Sequence, residues 1–454
     1  MSRESEKLFD AVGRVDDGLV EDALDGSVKK KRKWPRWTGA VAAALAVAIL
    51  CGVLFGRGSG YAIALADYPK TSVRKSIDLR EYAPALRDYL TASIPALLSG
   101  EAGENQVCSP VNVYMALSLL AEATAGETRE QILSLLGAAD IETARERAGL
   151  LWRMNYQDEK QGKCVLANSL WLARGVGYDR DTLETLAEAY YASSYRGEMG
   201  SEGMDKALRT WLSDQTGGLL KEQADGLSLD DDTLLALVST VYFSGKWAKA
   251  FSEKGTRPDV FHAAAGDLQC DFMHRDLQDA CYWGERFSAV SLRFLDMDGC
   301  AMWLILPDEG VTPEELLRDE QALAFLSADR LTRWGWEEQK RVEIHLSLPK
   351  FDVCAGPQLM EALRALGVTD ALDPYAADFS PMTDEALYVS QASHAARVRI
   401  DEEGCEAAAF TVLGMPTEAM PPDEEIDFTL DRPFLFAITG PDGLPLFVGI
   451  VNTP

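Results

Sequence analysis

Residues 396–401, Ala-Arg-Val-Arg-Ile-Asp, alternate apolar and polar side chains as a half-buried strand does. Val342 to Phe351 alternates more cleanly and predicts the best strand by periodicity. Three further runs, Val165–Leu172, Leu234–Phe243 and Pro433–Ile438, are apolar nearly throughout and predict buried strands. Helical spacing appears elsewhere. An apolar helix is predicted through Leu120; next comes Gly126–Leu133, where Thr128 and Gln131 have capping-box spacing and Gly137 marks the stop. Between Pro357 and Gly367, Leu359, Leu363 and Leu366 share one helical face. Leu8, Phe9, Val12, Val15, Leu19 and Val20 outline a short amphipathic helix within the acidic first 28 residues, with no chemistry assigned to it.

The connection between the strands ending near Asp401 and beginning at Pro433 has an odd composition. It opens with Glu402-Glu403-Gly404, continues through Cys405-Glu406-Ala407-Ala408-Ala409-Phe410-Thr411, and ends in Pro421, Pro422 and a run of acids. About thirty residues without secondary structure of their own suggest a functional loop. In an extended chain, Cys405, Ala407, Ala409 and Thr411 fall on one face and Phe410 on the other. That small-residue face would let the loop enter a packed sheet as a strand; composition alone favours a solvated acidic loop rich in Ala.

Composition, 47% hydrophobic and 26% charged, is globular, and 454 residues leave room for more than one domain. Lys29–Lys33 is wholly basic, and Trp37 to Gly56 follows without a charge, long enough to cross a bilayer. The positive-inside rule then puts residues 1–36 in the cytoplasm, makes 37–56 a single N-terminal transmembrane anchor, and places the remainder outside. A cleaved signal peptide competes with this reading, but the polar stretch before the apolar core is long for one. Ala48-Ile49-Leu50-Cys51 hints at a lipoprotein site, yet Leu50 is not small. Residues 57–76, beginning with Arg57-Gly58-Ser59-Gly60, read as a flexible linker, and 77–454 as the outer domain.

Enzyme chemistry finds little support. The chain has four His, no Gly-x-Ser-x-Gly, no His-Glu-x-x-His and no Cys-x-x-Cys, so no catalytic residue, metal ligand set or cofactor is assigned, and a membrane-tethered hydrolase lacks its nucleophile and base. A net charge of −28 argues against nucleic acid as a partner and against a heparin-type site. Seven Cys lie beyond the apolar segment, an odd number, and are expected to be mostly free thiols.

Taken in order, several motifs resemble the serpins: Cys108-Ser109-Pro110-Val111-Asn112, Val165–Leu172, Tyr242-Phe243-Ser244-Gly245-Lys246-Trp247, Phe261-His262, Met273-His274-Arg275, Leu304–Gly310, Leu348-Pro349-Lys350-Phe351, Glu402–Ala409 and Asp431–Phe436. The likeness runs from about Ile77 to Pro454, and the chain is identified as a bacterial, membrane-anchored member. It implies an α+β fold with three β-sheets, about eight to nine helices and an exposed reactive-centre loop. It also implies an inhibitor whose partner, a serine protease, is captured covalently by a monomer on the extracellular side. Secretion after anchor cleavage is the alternative for location, and a non-inhibitory binding protein the alternative for function.

By the same resemblance, Glu402, Glu403, Gly404, Cys405, Glu406, Ala407, Ala408, Ala409 and Thr411 form the hinge. Family loop length places the reactive bond at Glu418-Ala419, with Met415, Thr417 and Met420 as other candidates. Ser109, Asn112, Ser239, His394 and Trp247 fall at the shutter and breach, where the main sheet opens. Asn112 and Ser239 depart from the family pattern reciprocally, as if an amide and a hydroxyl had exchanged places in one network. The alternative is that each is satisfied locally. Cys405 stands where the family has Thr or Ser.

Overall fold

The apolar runs become the strands of two sheets in the computed structural model, which describes residues 61–68, 82–159, 162–221, 225–355, 359–405 and 424–454. The first sheet has the order β1 (Tyr61–Ala64), β5 (Ala192–Gly197), β4 (Gly162–Ala173), β6 (Leu235–Lys246), β13 (Val389–Arg399) and β12 (Asp352–Ala355). To it are added β3 (Gln157–Asp158), on β4, and β14 (Gly404–Cys405), on β6. The second sheet runs β15 (Glu425–Thr429), β11 (Gln339–Pro349), β8 (Gly266–Trp283), β9 (Phe287–Arg293), β10 (Ala301–Pro307), β16 (Phe434–Thr439), β17 (Pro445–Val451) and β2 (Gln106–Cys108), with β7 (Arg257–Ala263) on β8.

Three sheets were expected, and continuous hydrogen bonding joins them into two. The cause is β8, which spans 18 residues and pairs with β7, β11 and β9 in turn, carrying one ladder into the next.

Ten helices lie among the described residues: α1 (Ala83–Leu97), α2 (Pro110–Glu122), α3 (Gly126–Leu135), α4 (Ile141–Asn155), α5 (Arg180–Ala189), α6 (Glu202–Gln215), α7 (Pro313–Leu316), α8 (Glu320–Leu326), α9 (Arg330–Trp334) and α10 (Leu359–Ala365). The excess over the expected eight to nine comes from α7 to α9, where Thr312, Asp319 and Asp329 each cap a fresh start within one stretch. The capping box predicted at Thr128 and Gln131 does not form. Ala125 is the N-cap of α3, the Thr128 hydroxyl accepts from Asp378 N–H, and the Gln131 carbonyl accepts from Thr369 and Asp370. Gly137 does end α3, with φ +60° and the Ala138 N–H donating back to the Leu133 carbonyl.

The first sheet is buried on both sides, which is why β4 and β6 read as unbroken apolar runs. Alternation still sorts them. Leu166, Leu170, Leu235, Leu237 and Val241 join the main core with α2, while Ala167, Trp171, Ala236 and Val238 pack with Met204, Leu208 and Trp211 of α6. Helix α2 is mostly apolar and buried on every side from Pro110 to Ala121, with Asn112 and Ser118 as its buried polar residues, as its position beneath the sheet requires.

Two segments differ from their predicted states. The stretch assigned as a linker contains β1, which pairs antiparallel with β5. The long connection after Asp401 contains β15, parallel to β11, with Ile426 and Phe428 alternating against polar neighbours. No helix among the described residues is long and apolar enough to cross a membrane, and the predicted anchor at 37–56 lies outside those residues, as does the N-terminal amphipathic pattern.

Candidate functional site

The centre of the first sheet is organised by one row of polar residues. Strand register aligns Asn168 on β4, Ser239 on β6 and His394 on β13. Beneath them, Ser109 caps α2 through its hydroxyl, which accepts from the Asn112 N–H at 3.3 Å, and Pro110 at the first helical position gives up a donor that would have been unpaired.

The backbone N–H of Ser109 donates to His394 Nε2 at 2.9 Å. Nε2 therefore carries a lone pair, and in the neutral ring the proton sits on Nδ1, 3.3 Å from Ser239 Oγ, to which it donates. Burial pushes the His394 pKa down to about 4, in keeping with a neutral ring. Asn112 Nδ2 donates to Ser239 Oγ at 2.6 Å and to the Thr240 carbonyl at 2.9 Å, while Asn168 Nδ2 lies 3.4 Å from Asn112 Oδ1. Ser109, Asn112, Ser239 and His394 are thus in one fully buried network, and amide and hydroxyl meet directly across the helix–sheet contact.

The head of the sheet is built differently. Strands β6 and β13 are parallel neighbours, and beyond the paired part of the two strands the chain turns back on itself at Asp401. Asp401 Oδ1 accepts from the N–H groups of Glu403 and Gly404 at 2.8 and 3.1 Å, and Asp401 N–H donates to the Gly404 carbonyl at 3.0 Å. This turn seats Gly404 against Lys246 and Cys405 against Gly245, antiparallel to β6, while Cys405 also bridges to Ile400. Gly404 fits because it lacks a side chain: a Cβ there would stand 2.2 Å from the Gly245 carbonyl oxygen. Cys405 is 1% exposed.

Trp247 locks this seat. Its indole stacks on Phe294 with centroids 5.0 Å apart, its Nε1–H donates to the Asp401 carbonyl at 2.9 Å, and its backbone N–H donates to the Glu403 carbonyl at 2.9 Å. Phe251 N–H donates to the Glu402 carbonyl at 2.8 Å. The Glu402 carboxylate meets Lys350 Nζ at 2.7 Å and accepts from the Thr256 hydroxyl at 2.6 Å. Burial alone would raise the Glu402 pKa, but these two partners outweigh it and hold the carboxyl below its usual range. Glu403 is placed 3.8 Å from Lys246 Nζ.

Of the site residues predicted from sequence, two groups are therefore assembled: Ser109, Asn112, Ser239 and His394 at the centre, and Glu402, Glu403, Gly404, Cys405 and Trp247 at the head. Glu406, Ala407, Ala408, Ala409, Thr411, Glu418 and Ala419 lie outside the described residues, as do Met415, Thr417 and Met420. Sequence reasoning missed Asn168, Asp401, Phe251, Thr256 and Lys350. Only Asp401 left a local signal, an Asp three residues before a Gly, which is a turn pattern. The others arrive from distant strands and loops and carry no spacing to read.

Comparison with known proteins agrees with this geometry. The family model described as Serpin (serine protease inhibitor) matches residues 90–454. Among relatives, Serpin-Z2B of Oryza sativa subsp. japonica is 28% identical over 382 residues, covering 78% of this chain and 92% of that protein. An alpha-1-antitrypsin-like protein of Tamias sibiricus is 30% identical over 383 residues, covering 82% and 88%. These plant and mammalian proteins carry the family and leave the bacterial, membrane-anchored setting as an expectation. In fold, the chain is similar to native tengpin, a thermophilic serpin, with TM-score 0.73 and 24% identity over 86% of this chain and 97% of that one. It is also similar to human thyroxine-binding globulin in its hormone complex, with TM-score 0.70 and 21% identity over 83% and 99%. The chain belongs to the serpin family.

Proposed function

We propose that this protein is an inhibitory serpin that traps a target serine protease by inserting its cleaved loop into the first sheet. One observation carries the reading: Cys405 pairs with β6 on one side and with Ile400, which follows β13, on the other. It therefore occupies the first step of a new strand, antiparallel to both, in the seam between two parallel strands. The next inward positions on the same face are Ala407, Ala409 and Thr411, small enough to continue the ladder.

In this mechanism the protease serine oxygen attacks the Glu418 carbonyl and the Glu418–Ala419 peptide bond breaks. An ester forms to the protease, and the Ala419 amine leaves with a proton supplied by the protease histidine. The freed segment then separates β6 from β13 and zips in. The new ladder hydrogen bonds and the burial of the small-residue face drive the movement, and serpin loop insertion generally releases stored strain. The row of Asn168, Ser239 and His394 lies across the seam that must open, and its hydrogen bonds to Ser109 and Asn112 set how firmly that seam stays shut. Residues 37–56 anchor the inhibitor, with the family domain outside.

A second reading, a serpin that binds without trapping, is favoured by a cavity of about 380 Å³ lined by Tyr282, Trp303, Trp334, Arg330 and Arg333. Full-length protein in a non-ionic detergent, mixed with elastase-like, chymotrypsin-like, trypsin-like and Glu-specific serine proteases, separates the two readings. Trapping gives a complex that survives boiling in denaturant and a released peptide beginning at Ala419, and Ala409→Arg converts it to clean cleavage. Cleavage without a complex across the panel, unaffected by Ala409→Arg, would refute the inhibitory reading.

A further inference from the structure

Behind the segment that grips the hinge lies a second concave surface. It is a groove of about 730 Å³ whose charged lining is Lys249, Arg275, Arg293 and Arg341 with a single carboxylate, Asp279. In a chain of net charge −28 such a grouping is unexpected, and it shows that net charge does not fix the local field.

Neither Lys249 nor Arg341 has an ion pair among the described residues; Asp279 is taken by Arg293 at 3.3 Å. Arg275 is the most deeply set. Its guanidinium lies 4.7 Å over the Phe251 ring and donates through Nη1 to the Lys249 carbonyl, and its Nε is buried with no hydrogen-bond partner among the described residues. A half-buried cation with no ion pair of its own among the described residues, beside a carboxylate already paired with Arg293, leaves its charge for an anion to complete. Burial lowers the Arg275 pKa to about 10, so it remains charged at neutral pH. Ser291 adds a hydroxyl to the same wall.

We infer that this groove is a binding site for a compact polyvalent oxyanion, one bearing closely spaced phosphate or sulfate groups, held by Arg275, Arg341, Lys249 and Arg293. Planar guanidinium groups favour such oxyanions through paired, charge-assisted hydrogen bonds. The site also has a mechanical connection. Trp247 and Phe251, the two ends of one short segment, donate to the hinge carbonyls of Glu403 and Glu402, and between them Ala248 N–H donates to the Arg293 carbonyl on the groove side while the Lys249 carbonyl accepts from Arg275. An anion bridging these cations stiffens the segment that holds Glu402 and Glu403. Bound oxyanion therefore keeps Cys405 seated. None of this depends on whether a protease is trapped.

Calorimetric titration of the full-length protein in non-ionic detergent, at ionic strength of about 0.15 M, tests the site. Inorganic pyrophosphate represents free phosphates and sucrose octasulfate a sulfated sugar. One or both should bind at a single site with Kd tighter than about 100 μM, and whichever binds identifies the source. Arg341→Gln and Lys249→Gln, both exposed side chains with no ion pair among the described residues, should each weaken binding about tenfold. Arg330→Gln, which lines only the neighbouring cavity, should not. Absence of binding by either probe at about 1 mM, or affinity indifferent to Arg341→Gln and Lys249→Gln, overturns the assignment. Mass-spectrometric mapping of Cys405 alkylation tests the coupling. The bound probe should slow labelling at least about threefold, and an unchanged rate at saturation overturns the mechanical link while leaving the site itself to the titration.

Discussion

His394 gives the sharpest test of the polar row, because its protonation state follows from one backbone hydrogen bond. The Ser109 N–H points at Nε2, so a second proton there would set donor against donor in a buried site. The folded pKa is pushed down to about 4 by burial, against about 6.5 for a free histidine. Between those values the unfolded chain takes up a proton that the folded chain refuses. Stability from this residue is therefore complete above pH of about 6.5 and is lost as the pH falls toward 4. The shift of about 2.5 units corresponds to ~3 kcal/mol, or about 4 °C in melting temperature for a domain of this size. Carboxylates also titrate in this window, so the difference between wild type and His394→Gln isolates the effect. Gln can accept from Ser109 and donate to Ser239 without titrating. Calorimetry at pH 7 and pH 4 should show the wild type losing about 4 °C more than the variant. Nitrogen-detected NMR should place the neutral-ring proton on Nδ1. Equal losses in the two proteins, or a proton on Nε2 at neutral pH, would refute the reasoning.

The head of the sheet and the Asn112–Ser239 contact yield further expectations. Gly404→Ala puts a methyl group 2.2 Å from the Gly245 carbonyl oxygen, with Lys246 Cα at 2.8 Å, both of them backbone atoms that cannot swing away. The hinge should then leave its seat, and Cys405, 1% exposed in the wild type, should alkylate at least about tenfold faster; an unchanged rate would mean that the seat adapts. A double-mutant cycle on Asn112→Ala and Ser239→Ala should show coupling of about 1–2 kcal/mol, because the 2.6 Å bond joins two groups of zero exposure. Additive losses, measured by chemical denaturation, would mean that each side chain is satisfied locally.

Much of this site was legible before any coordinates. Alternation between Ala396 and Asp401 marked the end of β13, and the unbroken apolar runs marked β4, β6, β16 and the body of α2, because these depend on local periodicity that neighbouring residues carry themselves; the start of α2 at Ser109-Pro110 came through resemblance. The small-residue face beginning at Cys405 likewise follows from the period of an extended chain. Sequence also pointed to His394 and to the Asn112 and Ser239 pair, through resemblance.

Tertiary structure decided the rest. Thr128 and Gln131 had the spacing of a capping box but bond instead to Asp378, Thr369 and Asp370, since long-range partners outcompeted a local contact worth about 1 kcal/mol. The counts of sheets and helices shifted because β8 is long enough to pass from one ladder to the next and because three carboxyl or hydroxyl caps divide one stretch into α7, α8 and α9. Net charge argued against a polyanion site, yet Lys249, Arg275, Arg293 and Arg341 come together from separate strands and one loop. The chain's pattern determined which residues could be strands, helices and a hinge. Which histidine nitrogen holds the proton, and that Cys405 already stands between β6 and Ile400, were set only by packing, because strand register brings together groups whose separation in sequence carries no information about their distance.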